Sequence, residues 1–264
     1  MQGKVAIVTG ASRGIGRIIA QTLAKKGVKI IAVARSIDNL SKTCQLIENE
    51  GGEATPLMAD MAQSERFEAL IKKATSVYGR LDFLVNNAGI EQYKYFKNYS
   101  SDYIDNCLRI NLHAPILLSK VILPQFLEQG SGQIINIASL AGKKGVSYNS
   151  IYSASKSGLI MWTDAIRQEL SKTNVNISVV CPGFVRDSGM FHDSGQTAPK
   201  LLGSSSPQNV ADAVLKSIQN NCAEVIVNPG PMKPLLALNQ ISPKLGDWVI
   251  KFFGIPEMNR KRIE

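Results

Sequence analysis

Ser139 is followed thirteen residues later by Tyr152-Ser153-Ala154-Ser155-Lys156, a set of side chains that could move a proton onto a carbonyl oxygen. Tyr152 and Lys156 stand four apart in a segment of helical period, so they share one helix face. A tyrosine hydroxyl titrates near ~10, and a neighbouring ammonium favours its ionised form, which would make Tyr152 a usable acid near neutral pH. Ser139 could hydrogen-bond the oxygen where charge develops during hydride addition. A second chemical signal lies near the N-terminus, in Thr9-Gly10-Ala11-Ser12-Arg13-Gly14-Ile15-Gly16. Glycines at this spacing, between an apolar strand and a helix, permit a tight turn and a close backbone approach to a pyrophosphate at the helix N-terminus. After the second predicted strand comes Ala34-Arg35-Ser36, where an NAD site of this type usually places a carboxylate. A guanidinium and a hydroxyl suit a 2′-phosphate instead, with Arg13 adding a second positive charge. NADP is therefore the expected cofactor, and Asp38 keeps NAD open.

These residues need a frame. Short β-branched runs alternate with helical segments, which predicts strands over 4–9, 29–34, 54–59, 83–86, 133–138, 176–181 and 224–227. Helices are predicted over 15–26, 37–49, 64–78, 101–128, 151–171 and 207–220. Most of the strands are continuously apolar, so both faces of the sheet must be covered. The expectation is an α/β chain, a Rossmann-type doubly wound parallel sheet of about seven strands with helices on both faces and ligands at the strands' carboxyl ends.

The 264 residues, 44% hydrophobic and 19% charged with a mean hydropathy of −0.02, fit one globular domain and exclude disorder, collagen and coiled coil. Residues 1–228 are read as the dinucleotide-binding catalytic domain and 229–264 as a C-terminal amphipathic extension of it. No uninterrupted apolar run reaches membrane-spanning length and no signal peptide is evident, so a cytoplasmic protein is expected, with peripheral membrane association left open. Cys44, Cys107, Cys181 and Cys222 are too scattered for a zinc knuckle or disulfide frame, and His113 and His192 are the only histidines. No metal is expected. The net charge of +9 raises nucleic acid as a partner, but no RNP aromatic pair, Cys/His finger or dense basic block accompanies it. A solvated basic surface is the preferred reading.

With these motifs in order from Gly3 to about Val227, the chain resembles the short-chain dehydrogenase/reductase family. The resemblance rests on the glycine turn, Asp60, Asn86-Asn87-Ala88-Gly89, Asn111, Ser139, Tyr152 with Lys156, and Pro182-Gly183. It implies that Tyr152 is the general acid/base and that Ser139 orients the substrate. Lys156 would bind the nicotinamide ribose and lower the Tyr152 pKa, and Asn111 would hold a water that relays protons. The cofactor would further meet Gly10, Ser12, Gly14, Ile15 and Gly16, with Asp60 and Met61 at the adenine. Asn87, Ala88 and Gly89 would line the adenosine ribose, and Pro182, Gly183 and Val185 the nicotinamide end. The chain departs from the family pattern where Asp187 stands at a position often held by threonine. A carboxylate cannot donate there, so either Ser188 substitutes or Asp187 turns to solvent.

Tyr148 and Phe184 flank the expected active site and are the substrate-pocket candidates. The aromatic cluster Tyr93, Tyr95, Phe96 and Tyr99 reads equally as a substrate wall or a packed loop. His113 is expected to be packed or solvated, and 190–206 to be a lid or a plain loop. The tail carries Leu245, Trp248, Val249, Phe252 and Phe253 among lysines and prolines. Its prolines suggest short pieces, with 245–255 the one continuous helix. Burial in the substrate cleft or against a second subunit is favoured over membrane contact. The expected activity is NADPH-linked reduction of a ketone or aldehyde, or the reverse oxidation, in a homodimer or homotetramer acting on a small, lipid-like molecule. A 3-oxoacyl-acyl-carrier-protein reductase is the alternative enzyme, although Asn228-Pro229-Gly230-Pro231 replaces the Gly-Gly turn usual in those. A nucleotide-sensing scaffold is the non-enzyme alternative.

Overall fold

The computed structural model describes residues 1–263. Seven strands form one parallel sheet in the order β3-β2-β1-β4-β5-β6-β7. They are β1 (Val5–Thr9), β2 (Lys29–Ala34), β3 (Ala54–Met58), β4 (Phe83–Asn86), β5 (Gly132–Ile137), β6 (Val175–Pro182) and β7 (Glu224–Val227). Each strand falls within two residues of its predicted place. The central strands are buried on both faces, as their continuous apolar sequences require.

Helices α1 (Gly14–Ala24), α2 (Ile37–Asn49) and α8 (Pro207–Asn220) cover one face, where Ile19, Leu23, Leu40 and Val214 pack on Ala6, Val8 and Ile30. On the other face lie α3 (Phe67–Tyr78), α5 (Ala114–Glu128) and the end of α6 (Ser150–Glu169), with Phe67, Leu118, Ile122 and Phe126 against Ile7, Ile31 and Leu84. Each large side chain fully buried this way contributes about 1.5–3 kcal/mol. Local signals set the boundaries. Ser36 caps α2, a Ser206–Asn209 capping box starts α8, and Gly79, in the left-handed region, ends α3.

The predicted single helix over 101–128 is interrupted, because α4 (Ser101–Leu108) passes through a π turn at Arg109–His113 before α5 begins. By length and composition Ser101–Glu128 could cross a membrane, yet Leu118, Ile122 and Phe126 bury it against the sheet. His113 is exposed. The tail corrects a second expectation. Instead of short pieces and one helix it forms α9 (Met232–Ile241), α10 (Pro243–Phe252) and α11 (Ile255–Arg260), with α7 (Met190–Asp193) a single turn nearby. Pro234, Pro243 and Pro256 sit in the first turns of these helices, where the N–H groups have no intrahelical partner and proline's fixed φ is already helical. Gly246 lets α10 lie close on α9, since a Cβ there would stand 2.8 Å from Asn239 Cβ.

Candidate active site

The strand order reverses between β1 and β4, and the loops leaving their carboxyl ends meet there. Thr9 joins them: its hydroxyl accepts from the backbone N–H groups of Asn87 and Ala88, both at 3.0 Å, and donates to the Val85 carbonyl at 3.3 Å. Asn87 Nδ2 in turn donates to the Thr9 carbonyl at 2.9 Å. Gly10 needs its positive φ, and a Cβ on it would come within 2.9 Å of Asn87 Nδ2, so only glycine permits this approach. The cleft formed here is lined by Gly10, Ser12, Arg13, Gly14, Ile15 and Gly16 on one side. Opposite them are Arg35, Ser36, Asp60, Met61, Asn87, Ala88 and Gly89. No side chain caps the N-terminus of α1 and its first turn holds no acid, which leaves backbone donors and the positive helix end facing the cleft.

Arg35 is exposed at the cleft's rim. Arg13 lines the cleft too, but its Nη1 pairs with Asp193 Oδ2 of α7 at 2.8 Å, and that guanidinium holds the Asp193 carboxyl below its usual range. Asp60 accepts the Ala62 N–H at 3.0 Å, shaping the turn after β3. Asp187 points to solvent beside Arg186, while Ser188 Oγ is buried without a partner close to Gly14. An orphaned hydroxyl and a glycine cradle are features that a dinucleotide would satisfy.

A second, mostly apolar cavity opens from the first at Ile15, Asn87 and Met190, and it contains Ser139, Tyr152 and Lys156 together with Pro182, Gly183, Phe184 and Val185. Ser139 follows β5 and caps a 3₁₀ turn, accepting the Ala141 N–H at 3.1 Å, so its own proton is free to be donated. Its hydroxyl is near enough to that of Tyr152 to favour the ionised phenol. Tyr152 and Lys156 lie on one face of α6 as expected, with Lys156 Nζ 5.7 Å from the tyrosine ring centre and donating to the Ile137 carbonyl at 2.9 Å.

The electrostatics differ from the sequence expectation. Burial pushes the Tyr152 hydroxyl well above its ordinary value, helped by the charge of Glu91 and opposed by the nearby Ser139 hydroxyl. Burial likewise brings Lys156 down to about 8. Desolvation, rather than an ammonium–phenol attraction, dominates here. Asn111 is fully buried at the π turn, where the side chain exchanges two 2.8 Å hydrogen bonds with the Ile90 backbone and reaches Ser155 Oγ at 3.2 Å. It therefore clamps the loop after β4 onto α6.

Tyr148 is not in the cavity lining. Its backbone is held in the left-handed region by bonds from Lys94 and Tyr99 to its carbonyl, and its ring stands edge-on to Tyr95. Phe184 does line the cavity, against Phe191. Of the aromatic cluster, Tyr93 faces the cavity, Tyr99 ties down the loop through its hydroxyl, and Phe96 is exposed. The segment 190–206 supplies Met190, Phe191 and Leu202 as a wall. The motifs did not point to Glu91, Asn259 or Arg262. Glu91 directly follows the Asn-Asn-Ala-Gly-Ile run, whereas nothing local marks the tail residues. Among the described residues no group of three or more His, Cys, Asp or Glu could hold a metal ion.

A parallel sheet with this cleft and a Ser-Tyr-Lys cavity is the architecture of a nucleotide-dependent oxidoreductase. The family model for short chain dehydrogenase matches residues 4–199, and the chain belongs to the short-chain dehydrogenase/reductase family. It is 48% identical over 269 residues to ketoacyl reductase HetN of Nostoc sp. (strain PCC 7120), covering 100% of this chain and 94% of that protein. Among solved structures, a metagenomic short-chain oxidoreductase in complex with NADP is 32% identical with a TM-score of 0.75, covering 86% of this chain and 97% of the other. A variant of actinorhodin polyketide ketoreductase with NADPH is 30% identical with a TM-score of 0.78, covering 85% and 95%.

Proposed function

We propose that this oxidoreductase uses NADPH to reduce a ketone or aldehyde on a small, largely apolar molecule. The observation that carries the reading is the set Ser139, Tyr152 and Lys156 lining one mostly apolar cavity that opens onto the glycine-lined cleft. Gly10, Ser12, Gly14, Ile15 and Gly16 would cradle the pyrophosphate, and Arg35, Ser36 and Arg13 the 2′-phosphate. Asp60 and Met61 would meet the adenine, Asn87, Ala88 and Gly89 its ribose, and Pro182, Gly183, Val185 and Ser188 the nicotinamide end. When bound, the reduced nicotinamide supplies a hydride.

Ser139 donates its free proton to the carbonyl oxygen and holds it beside Tyr152. Tyr152, kept protonated by burial, delivers a proton to that oxygen as charge develops on it. A hydroxyl held protonated well past neutral pH is suited to reduction. Lys156, at about 8, restores the Tyr152 proton and holds the ribose. Asn111 acts by fixing the Ile90 loop against α6. The NADP and NADPH complexes of the two structural relatives support the choice of cofactor, as does the absence of a carboxylate at Arg35 and Ser36.

The relation to a ketoacyl reductase and a polyketide ketoreductase favours a 3-oxoacyl compound as a second reading of the substrate. Exposed Met161, Ile241, Trp248 and Phe252 support assembly into a homodimer or homotetramer. Fluorescence titration with NADPH and NADH, followed by a carbonyl panel assayed through loss of NADPH absorbance, tests the proposal. Tighter NADPH binding with turnover of at least one ketone is the expected result, and NADPH binding without turnover of any would leave a nucleotide-sensing scaffold.

A further inference from the structure

The end of the cavity formed by the tail is polar. Asn259 of α11 is only 1% exposed, lines the cavity, and neither its Nδ2 nor its Oδ1 has a hydrogen-bond partner. Three residues on, Arg262 also lines the cavity, and its Nε and Nη2 are buried without partners. Leaving one buried donor unpaired costs about 1–3 kcal/mol, and more when the group is charged, so an orphaned cluster of this kind marks a place where a polar ligand group belongs. The pattern also indicates which group. Nε and Nη2 form one edge of the guanidinium, the edge whose two parallel N–H bonds match the two oxygens of a carboxylate. The plane is held by the Tyr93 ring at 4.1 Å and the Phe191 ring at 5.1 Å, which leaves that edge free.

We propose that Asn259 and Arg262 bind a substrate carboxylate, so that the molecule reduced is an oxo acid whose apolar chain runs along the cavity. Arg262 takes both oxygens, Asn259 Nδ2 adds a third donor, and the chain lies against Val249, Phe253 and Ile255. The acidic neighbour Glu91 leaves that edge open: its Oε1 accepts from Asn149 Nδ2 at 2.5 Å, it makes no ion pair with Arg262 within 4 Å, and burial raises its pKa against the opposing pull of the Arg262 charge. The proposal rests on the reductase reading and narrows it, because a carrier-protein thioester has no free carboxylate to offer this end of the cavity.

The test measures binding of straight-chain carboxylates, hexanoate to dodecanoate, and of the corresponding primary amides to the protein saturated with NADP, by isothermal titration. The acid is expected to bind at least ~10-fold more tightly than its amide, as loss of one charge-assisted hydrogen bond requires. Arg262→Gln should abolish that preference and Asn259→Leu should reduce it. Equal affinity for acid and amide, binding of neither, or an undiminished preference in Arg262→Gln overturns the proposal. The acid-to-amide ratio needs only the unaltered protein, so a variant that fails to fold does not decide the matter. Because these ligands carry no reducible carbonyl, the result is independent of turnover. Acid preference without NADPH consumption by any oxo acid would contradict the reductase reading alone, and consumption without acid preference would contradict this proposal alone.

Discussion

Lys156 carries part of the energetic cost of the site in one titratable group. Its folded value of about 8 lies below the ordinary 10.5, so at neutral pH the folded protein carries a charge that burial opposes. Between these two values the folded state has released a proton that the unfolded state still binds, and cofactor-free stability from this group rises with pH across that window. Lys156→Met should therefore be more stable than the unaltered protein near pH 7, by an amount that shrinks from pH 8 toward 10.5, as followed by thermal melting. A constant difference would contradict the assignment. Arg35 and Arg13 make a second prediction: replacing both with alanine should weaken NADPH by roughly 1.5–3 kcal/mol per lost charge-assisted bond and leave NADH less affected. Since Arg13 is paired with Asp193, Arg35→Ala alone should carry the larger part. The Ser139, Tyr152 and Lys156 set was legible because one helical spacing and one strand end suffice to place it. Tyr148 was not, because its left-handed backbone turns the ring onto Tyr95, and no pattern of residue types encodes that torsion.

At the level of elements, the strands were readable to within two residues because continuous β-branched runs have few other uses in a two-sided sheet. The π turn in the helical run 101–128 was hidden, since its periodicity differs from an α-helix for one turn only, and that turn aims Asn111 at Ile90. In the tail the prolines do not break the chain into loose pieces but stand in the first turns of α9, α10 and α11, a placement that composition alone does not distinguish from a break. This element is two-sided. Val249, Ile250, Phe253 and Ile255 line the cavity while Leu245, Trp248 and Phe252 face outward, and Lys144 anchors α10 through a 2.8 Å ion pair with Asp247. Deleting residues 244–264 removes one wall, so KM for the carbonyl substrate should rise by at least ~10-fold, in line with loss of one or two buried large side chains. Cofactor affinity should change little, because the glycine-lined cleft contains no tail residue. An unchanged KM would separate the tail from the substrate.

For the whole molecule, the doubly wound order determines where chemistry can occur. Loops from β1, β4, β5 and β6 converge at one end of the sheet, so residues as distant as Gly10, Asn87, Ser139 and Gly183 share two connected cavities. That convergence follows from alternating strands and helices, and it was legible. Closure of the cavity by Asn259 and Arg262 was not, since it depends on three short helices folding back over the Ser139–Tyr152 cavity. The proposed NADPH-linked reduction depends on a proton from Tyr152. Its most direct test is the rate of NADPH oxidation with a turned-over ketone, compared between the unaltered protein and Tyr152→Phe, which keeps the ring's packing and removes the hydroxyl. Turnover in the variant should fall at least ~10²-fold while NADPH still binds. A folded Tyr152→Phe protein that reduced the ketone at near the original rate would contradict that role for Tyr152.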